Sequence, residues 1–199
     1  SSVLAKLFES CLLEVYADYL CSADNQFGFK KGLGCPHAIF SARQIIDSYI
    51  RGGDTACVAG LDIAKAFSRV NHHALLIKLL KRKVPISFVD LIDDWLQRST
   101  SKVKWCGHLS DNFSLRTGVN QGSVLAPPLF AIVLNDCLVA CNRLNIGAVL
   151  VYADDILIIA RSRQLLQVLF NVIGFEVNLC NLEFNVDKCC SLRIGPRFF

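Results

Sequence analysis

The sequence contains no methionine. A chain without one does not begin at its own initiator, so it reads as an internal piece of a longer open reading frame. It also lacks a long apolar run. The longest candidate, Ile146 to Ala160, is broken by Asp154-Asp155 and falls short of the ~18 residues of a membrane span. No basic stretch followed by an apolar one opens the chain, which argues against a secretory signal. Ten cysteines are present but no C-x-x-C, and His37, His72, His73 and His108 stand at no finger spacing from them. Zinc and a disulfide framework are thereby set aside. The cysteines read as small buried hydrophobes in a reducing compartment, with Cys137 and Cys141 on one helix face and Cys189-Cys190 packing rather than cycling between redox states. Charge is scarce too: 19% of residues against 53% hydrophobic, with a mean hydropathy of +0.41. Such a chain buries a large core as one domain or two small lobes, and its excess apolar character predicts that a partner lobe is missing. The net charge of +4 permits nucleic-acid binding without demonstrating it.

Periodicity outlines the elements. Val3 to Leu20 has helical spacing, with Leu4, Leu7, Leu12, Val15 and Tyr19 apolar. Phe27 to Gly34 reads as a loop, and helix resumes from His37 to Ile50 before Gly52-Gly53. Cys57 to Ile63 is a continuous apolar run, broken only by Asp62, and reads as a buried strand. Asn71 suits a helix cap ahead of Leu75, Leu76, Leu79 and Leu80, a helix that ends before Pro85. Another helix follows through Val89, Ile92, Trp95 and Leu96. Ser101 to Cys106 and Phe113 to Arg116 predict a hairpin around Gly107, and Pro127-Pro128 starts a helix to about Cys141. Ser162 suits the cap of a long helix, and short strands are expected at Phe184 to Val186 and Ser191 to Ile194. There are no repeats, and Gly32-Leu33-Gly34 lacks the third glycine of a dinucleotide fingerprint.

Tyr152-Ala153-Asp154-Asp155 lies between two runs rich in Val, Ile and Leu, so its carboxylates stand at the turn of a buried hairpin. Two charges beside a core are costly unless cations neutralise them. A polar turn is the plainer reading, since Asp is common in turns. Asp62, at the end of its own strand, can approach that pair, and three carboxylates suit a pair of Mg²⁺ ions. Alone, Asp62 reads more readily as a helix cap, and Phe67 as core packing. Gly118 to Phe130 is a glycine-containing loop running into a helix, with Gln121 offering an amide. Lys78, Lys81, Arg82 and Lys83 cluster at a helix end, and Arg98, Lys102 and Lys104 at a hairpin; both clusters suit a solvated face or phosphate.

The order Leu-Asp-x-x-Lys-Ala-Phe, Gln-Gly-x-x-Leu-x-Pro-x-Leu-Phe, Tyr-Ala-Asp-Asp and Asn-x-x-Lys resembles the A, B, C and D motifs of reverse transcriptases, in the style of non-LTR (LINE-type) retrotransposons. Gln26-Phe27-Gly28-Phe29-Lys30-Lys31-Gly32 is similar to the fingers motif that precedes them. The resemblance runs from about residue 4 to 195. It implies an α+β fold: the fingers and palm of a right-hand polymerase, with an antiparallel palm sheet backed by helices and the thumb missing. Fingers would be residues 1–56 and 75–117, and palm 57–74 and 118–199. It implies that Asp62 and Asp154 are metal ligands and that Asp155 completes the acidic cluster, holding two Mg²⁺ ions or Mn²⁺ in their place. Phe67 matches the gate that excludes a ribose 2′-hydroxyl. Gln121 matches the nucleotide and template pocket, and Gly122 and Tyr152 belong with it. Lys30 stands where a basic residue, more usually arginine, meets the triphosphate. Lys188 matches a proton donor to pyrophosphate, and reads equally as a surface lysine.

The implied partners are an RNA template, a DNA primer, deoxynucleoside triphosphates, and the thumb and endonuclease domains of a parent polyprotein, with no membrane. The implied location is intracellular, in cytoplasm and nucleus. Ser68 replaces a usual aspartate, Asn120 a common arginine and Ala126 a usual serine. These departures leave two rivals: a decayed remnant that keeps the fold and RNA binding, and another palm-type polymerase.

Overall fold

The computed structural model of the chain describes residues 3–196. Helices α1 (Val3–Val15) and α2 (Cys35–Arg51) precede β1 (Ala56–Asp62), followed by α3 (Ala66–Arg69), α4 (His72–Lys81) and α5 (Ile86–Gln97). A small arm holds β2 (Thr100–Ser101), β3 (Lys104–Trp105), β4 (His108–Leu109) and β5 (Phe113–Ser114). Then come α6 (Ala126–Leu144), β6 (Gly147–Tyr152), β7 (Asp155–Ala160), α7 (Arg163–Leu179), a 3-10 turn at Val186–Lys188 and β8 (Cys190–Ile194). The main sheet is antiparallel, with order β6-β7-β1-β8.

Strand β1 explains why its sequence is a continuous apolar run rather than an alternating one. Ala59, Leu61 and Ile63 join the core built with α6 and α7, whereas Ala56 and Val58 join a second cluster with Leu150, Ile159 and residues of α2. With both faces covered, period-two alternation disappears. Helix α6 is the centre of the larger core: Leu129, Phe130, Ile132, Leu134 and Leu138 are all buried. Its charged neighbour is tied down by a contact between Lys78 Nζ and Asp136 at 2.6 Å, joining α4 to α6.

The capping expectations hold in detail. Asn71 Oδ1 accepts from Ala74 N at 3.0 Å, and Ser162 Oγ from Leu165 N at 3.2 Å. Three expectations change. The first helix ends at Val15, and a turn carries the chain to buried Leu20. Its stripe of Val3, Leu4, Leu7, Phe8 and Val15 is exposed, while Glu9 is the residue it buries. The expected hairpin is split into two ladders, β2 with β5 and β3 with β4, whose registers are offset by one residue; Cys106 (φ 46) and Gly107 (φ 82) make the tight turn that closes the second. The strand expected at Phe184 to Val186 is reduced to one bridge, Ile63 to Phe184. Lys188 N and Cys189 N then both donate to Asn185 O, which curls the chain into the 3-10 turn.

Glu9 has a specific task. Its Oε2 accepts from Ser123 Oγ at 2.6 Å and from the N–H groups of Val124 and Leu125, just ahead of α6. A carboxylate there satisfies donors that the helix leaves open and complements its dipole. Glu9→Ala should therefore lower the unfolding free energy by about 2–3 kcal/mol, read as a lower urea midpoint with an unchanged slope. A shift of the size seen on truncating an exposed glutamate would contradict that capping role.

Candidate active site

The sheet brings the carboxylates together through register. Asp62, last in β1, pairs with Asp155, first in β7, and Asp155 also pairs with Tyr152 across the hairpin. Ala153 (φ 58) and Asp154 form the turn between them. Even-numbered residues of β1 face α2, so Asp62 leaves the sheet on that side, with only 17% of its side chain exposed. Its main-chain oxygen accepts from Asn185 N at 2.8 Å, and Lys188 Nζ lies 3.5 Å from its Oδ1. The 3-10 turn is therefore what aims Lys188 at the carboxylate.

Asp62 and Asp154 line one pocket of about 400 Å³ together with Lys65, Phe67, Gln121 and Lys188. Asp155 and Tyr152 line the adjoining groove of about 820 Å³, which Asp62 and Lys188 also border. Partial burial pushes the Asp155 carboxyl above its usual value; the Asp154 and Asp62 charges add to this and Lys188 opposes it. Among the described residues, no three of His, Cys, Asp and Glu are grouped as a metal site, although the Asp62 and Asp154 charges both act on Asp155. Asp154 lines the pocket and Asp155 the groove, while Asp62 borders both. The pair Asp62 and Asp154 still offers hard carboxylate oxygens to one space, a donor set that fits a hard divalent cation.

Phe67 does two things at once. Its ring stacks on Phe130 at 4.7 Å, meets Phe29 edge-on at 5.9 Å, and lines the pocket. The loop after the arm is fastened to the same turn. Gly118 N donates to Val70 O and Val119 N to Phe67 O, each at 2.8 Å, and Thr117 Oγ1 donates to Ser68 O at 3.2 Å. Gly118 has φ +89, and a Cβ there would lie 2.7 Å from Ser68 O. Only glycine permits this approach, and through it Gln121 reaches the pocket wall.

Lys30 and Gly122 are not among the residues that line this pocket. The Lys30 ammonium instead donates to Ala23 O at 2.6 Å. Gly122 stays in the loop with φ +89.

Sequence reasoning missed Lys65, Asn185, Glu9 and Gln26. Gln26 is fully buried, and its Oε1 accepts from Gly28 N at 2.8 Å and Ala153 N at 3.3 Å. Its Nε2 has no partner among the described residues, an arrangement that costs about 1–3 kcal/mol. The available signal was a polar residue inside the quoted fingers motif, and for Glu9 a lone acid within an apolar helix.

The family model described as "Reverse transcriptase (RNA-dependent DNA polymerase)" matches residues 2–194. The Retrovirus-related Pol polyprotein from type-2 retrotransposable element R2DM of Drosophila melanogaster is 30% identical over 145 residues, covering 69% of this chain and 14% of that protein. The RNA-directed DNA polymerase from mobile element jockey, also of Drosophila melanogaster, is 27% identical over 182 residues, covering 86% of this chain and 20% of that protein. The chain thus spans a fifth or less of these relatives. Among solved structures, telomerase from Candida tropicalis with a TWJ fragment of telomeric RNA superposes with a TM-score of 0.72 at 13% identity, over 96% of this chain and 34% of that one. That likeness shows the fold: mixed helix and antiparallel sheet, as in polymerase fingers and palm.

The raised Asp155 carboxyl fixes a pH dependence. The folded chain holds this proton to higher pH than the unfolded one, so stability falls as pH rises from the ordinary value of 3.8 through the folded value. In metal-free buffer, Asp155→Asn should raise the melting temperature at pH 7, with the gain shrinking as pH is lowered and vanishing below the ordinary value of 3.8. Melting curves across that range measure it. A gain independent of pH would assign the effect to something other than charge.

Proposed function

We propose that this chain, which belongs to the reverse transcriptase (RNA-dependent DNA polymerase) family, is the fingers-and-palm core of a non-LTR retrotransposon polymerase that adds deoxynucleotides to a primer 3′ end on an RNA template. The observation that carries this reading is the single pocket on which Asp62, Asp154, Phe67, Gln121 and Lys188 converge. The curated relatives, named as polymerases and Pol polyproteins of mobile elements, support it. Residues 57–74 and 118–199 serve as palm, and 1–56 and 75–117 as fingers. The parent protein supplies thumb and endonuclease domains and works in cytoplasm and nucleus.

Asp62 and Asp154, with Asp155 completing the acidic cluster, are the residues that would hold Mg²⁺ ions, or Mn²⁺ in their place. Such ions, when bound, supply charge stabilisation to the attacking and departing oxygens of phosphoryl transfer. The chain's own residues set the rest. Lys188 Nζ neutralises Asp62 at rest and stands at the pocket edge, where it gives a proton to the departing pyrophosphate. Gln121 orients the base-paired nucleotide. Phe67, held by the Phe130 stack, presents a flat wall against the sugar. Asp155 joins that acidic cluster from the groove side, with Tyr152 beside it to meet the nucleotide.

A decayed remnant is the second reading, and Lys30 favours it, because its ammonium is committed to a main-chain oxygen rather than to the pocket. Primer extension by the full-length protein on an RNA template separates the two. The active reading expects extension that falls at least about a hundredfold in Asp154→Asn; no extension by the unsubstituted protein would leave the remnant. Sugar choice is a separate test. Phe67→Val should raise the ratio of ribo- to deoxynucleotide incorporation about tenfold or more, since a clash discriminates more strongly than a lost contact. An unchanged ratio would return Phe67 to core packing alone.

A further inference from the structure

Residues 25–28 lie along the catalytic hairpin as a strap. Phe27 N donates to Val151 O and Val151 N to Asn25 O, each at 2.8 Å, giving one parallel bridge of Gln26 to Val151. This places the Gln26 side chain under the turn, where it is fully buried and its Oε1 accepts from Ala153 N at 3.3 Å. Ala153 is the turn residue in the left-handed region, immediately before Asp154. Gly28 closes the strap from the other side: a Cβ there would lie 2.4 Å from Ala153 N. The strap is itself pinned, since Gln26 N donates to Ala23 O at 3.0 Å and Lys30 Nζ to the same oxygen at 2.6 Å.

Packing does not account for a glutamine here. Its Nε2 is buried and unpartnered among the described residues, so an apolar residue of the same length would remove one unpaired group while leaving Gly28 N and Ala153 N unpaired in its place. Two stranded N–H groups outweigh the one that is relieved, and only an acceptor oxygen at this position can hold the Ala153 N–H.

We infer that Gln26 is a positioning residue for the catalytic turn: its Oε1 fixes the Ala153 N–H and thereby the direction in which Asp154 points. The inference deepens the polymerase reading and, for its kinetic part, rests on it. Gln26 does not touch substrate. It acts through Ala153, and it joins the segment that bears Lys30 to the turn that bears Asp154.

The test uses the full-length protein with Gln26→Met, Gln26→Glu and Gly28→Ala. Hydrogen exchange is read at the Ala153 amide, and primer extension is read as kcat and as KM for the deoxynucleotide. Gln26→Met should speed Ala153 exchange at least tenfold and lower kcat at least tenfold, with KM little changed and the melting temperature lowered. Gln26→Glu keeps an acceptor oxygen and should restore exchange to within about threefold of the unsubstituted protein. Gly28→Ala retains Gln26 but pushes on Ala153, and should reproduce the exchange and kcat losses even if Gln26→Met fails to fold. Exchange and kcat within twofold of the unsubstituted protein in Gln26→Met or, where that variant does not fold, in Gly28→Ala would overturn the inference. So would equal loss of protection along the whole sheet, which marks a merely structural residue. If the unsubstituted protein extends no primer, the polymerase reading fails, while the Ala153 exchange still decides the role of Gln26.

Discussion

The antiparallel pairing of β1 with β7 is the constraint on which the site depends. It runs from Cys57 opposite Ala160 to Asp62 opposite Asp155. Six pairs in continuous register mean that the acidic end cannot be moved without moving the core. The apolar majority of each strand supplies the stabilisation, and the carboxylates at the strand ends are carried along by it. A slip of one residue would turn Asp62 toward α6 and α7 and place Leu61 on the pocket side. Burial on both faces of β1 therefore protects a polar function at its end.

Around that fixed point, the pocket wall is assembled from segments that lack regular structure, and each is fastened by main-chain bonds. Gly118 and Val119 dock on Val70 and Phe67, Asn185 docks on Asp62, and Phe27 docks on Val151. Main-chain attachment leaves the side chains of Gln121, Lys188 and Phe67 free to face the pocket. Glu9 performs the corresponding service for α6, whose buried start fixes the far side of the loop. Charge is used sparingly, consistent with its scarcity in the sequence.

The strands and long helices were legible because burial imposes a period. Asn71 and Ser162 were legible because a cap has a local chemistry. The carboxylate positions were legible as well, since strand ends beside turns are where Asp is tolerated. What was not legible was directional. No local signal says that Asp154 enters one pocket while Asp155 opens on the neighbouring groove, because that depends on the turn conformation at Ala153. Nor does sequence reveal that Lys30 bonds to Ala23 O, or that Gln26 and Glu9 reach partners far along the chain. The apolar stripe of α1 is exposed, and periodicity identifies such a face as one that wants cover, not whether cover is present.

The arm formed by β2 to β5 contains no buried residue from Thr100 to Thr117, and Trp105 at its tip is 78% exposed. Its base is nevertheless closed by a bond from Leu115 N to Ser99 O at 2.9 Å. The two ends are held at fixed spacing, while everything between them is independent of the core. Doubling the length of such a closed excursion costs only about 0.6 kcal/mol in loop entropy. The arm is thus the place where this fold can gain or lose residues at small cost, a natural insertion point between one wall of the pocket and the next.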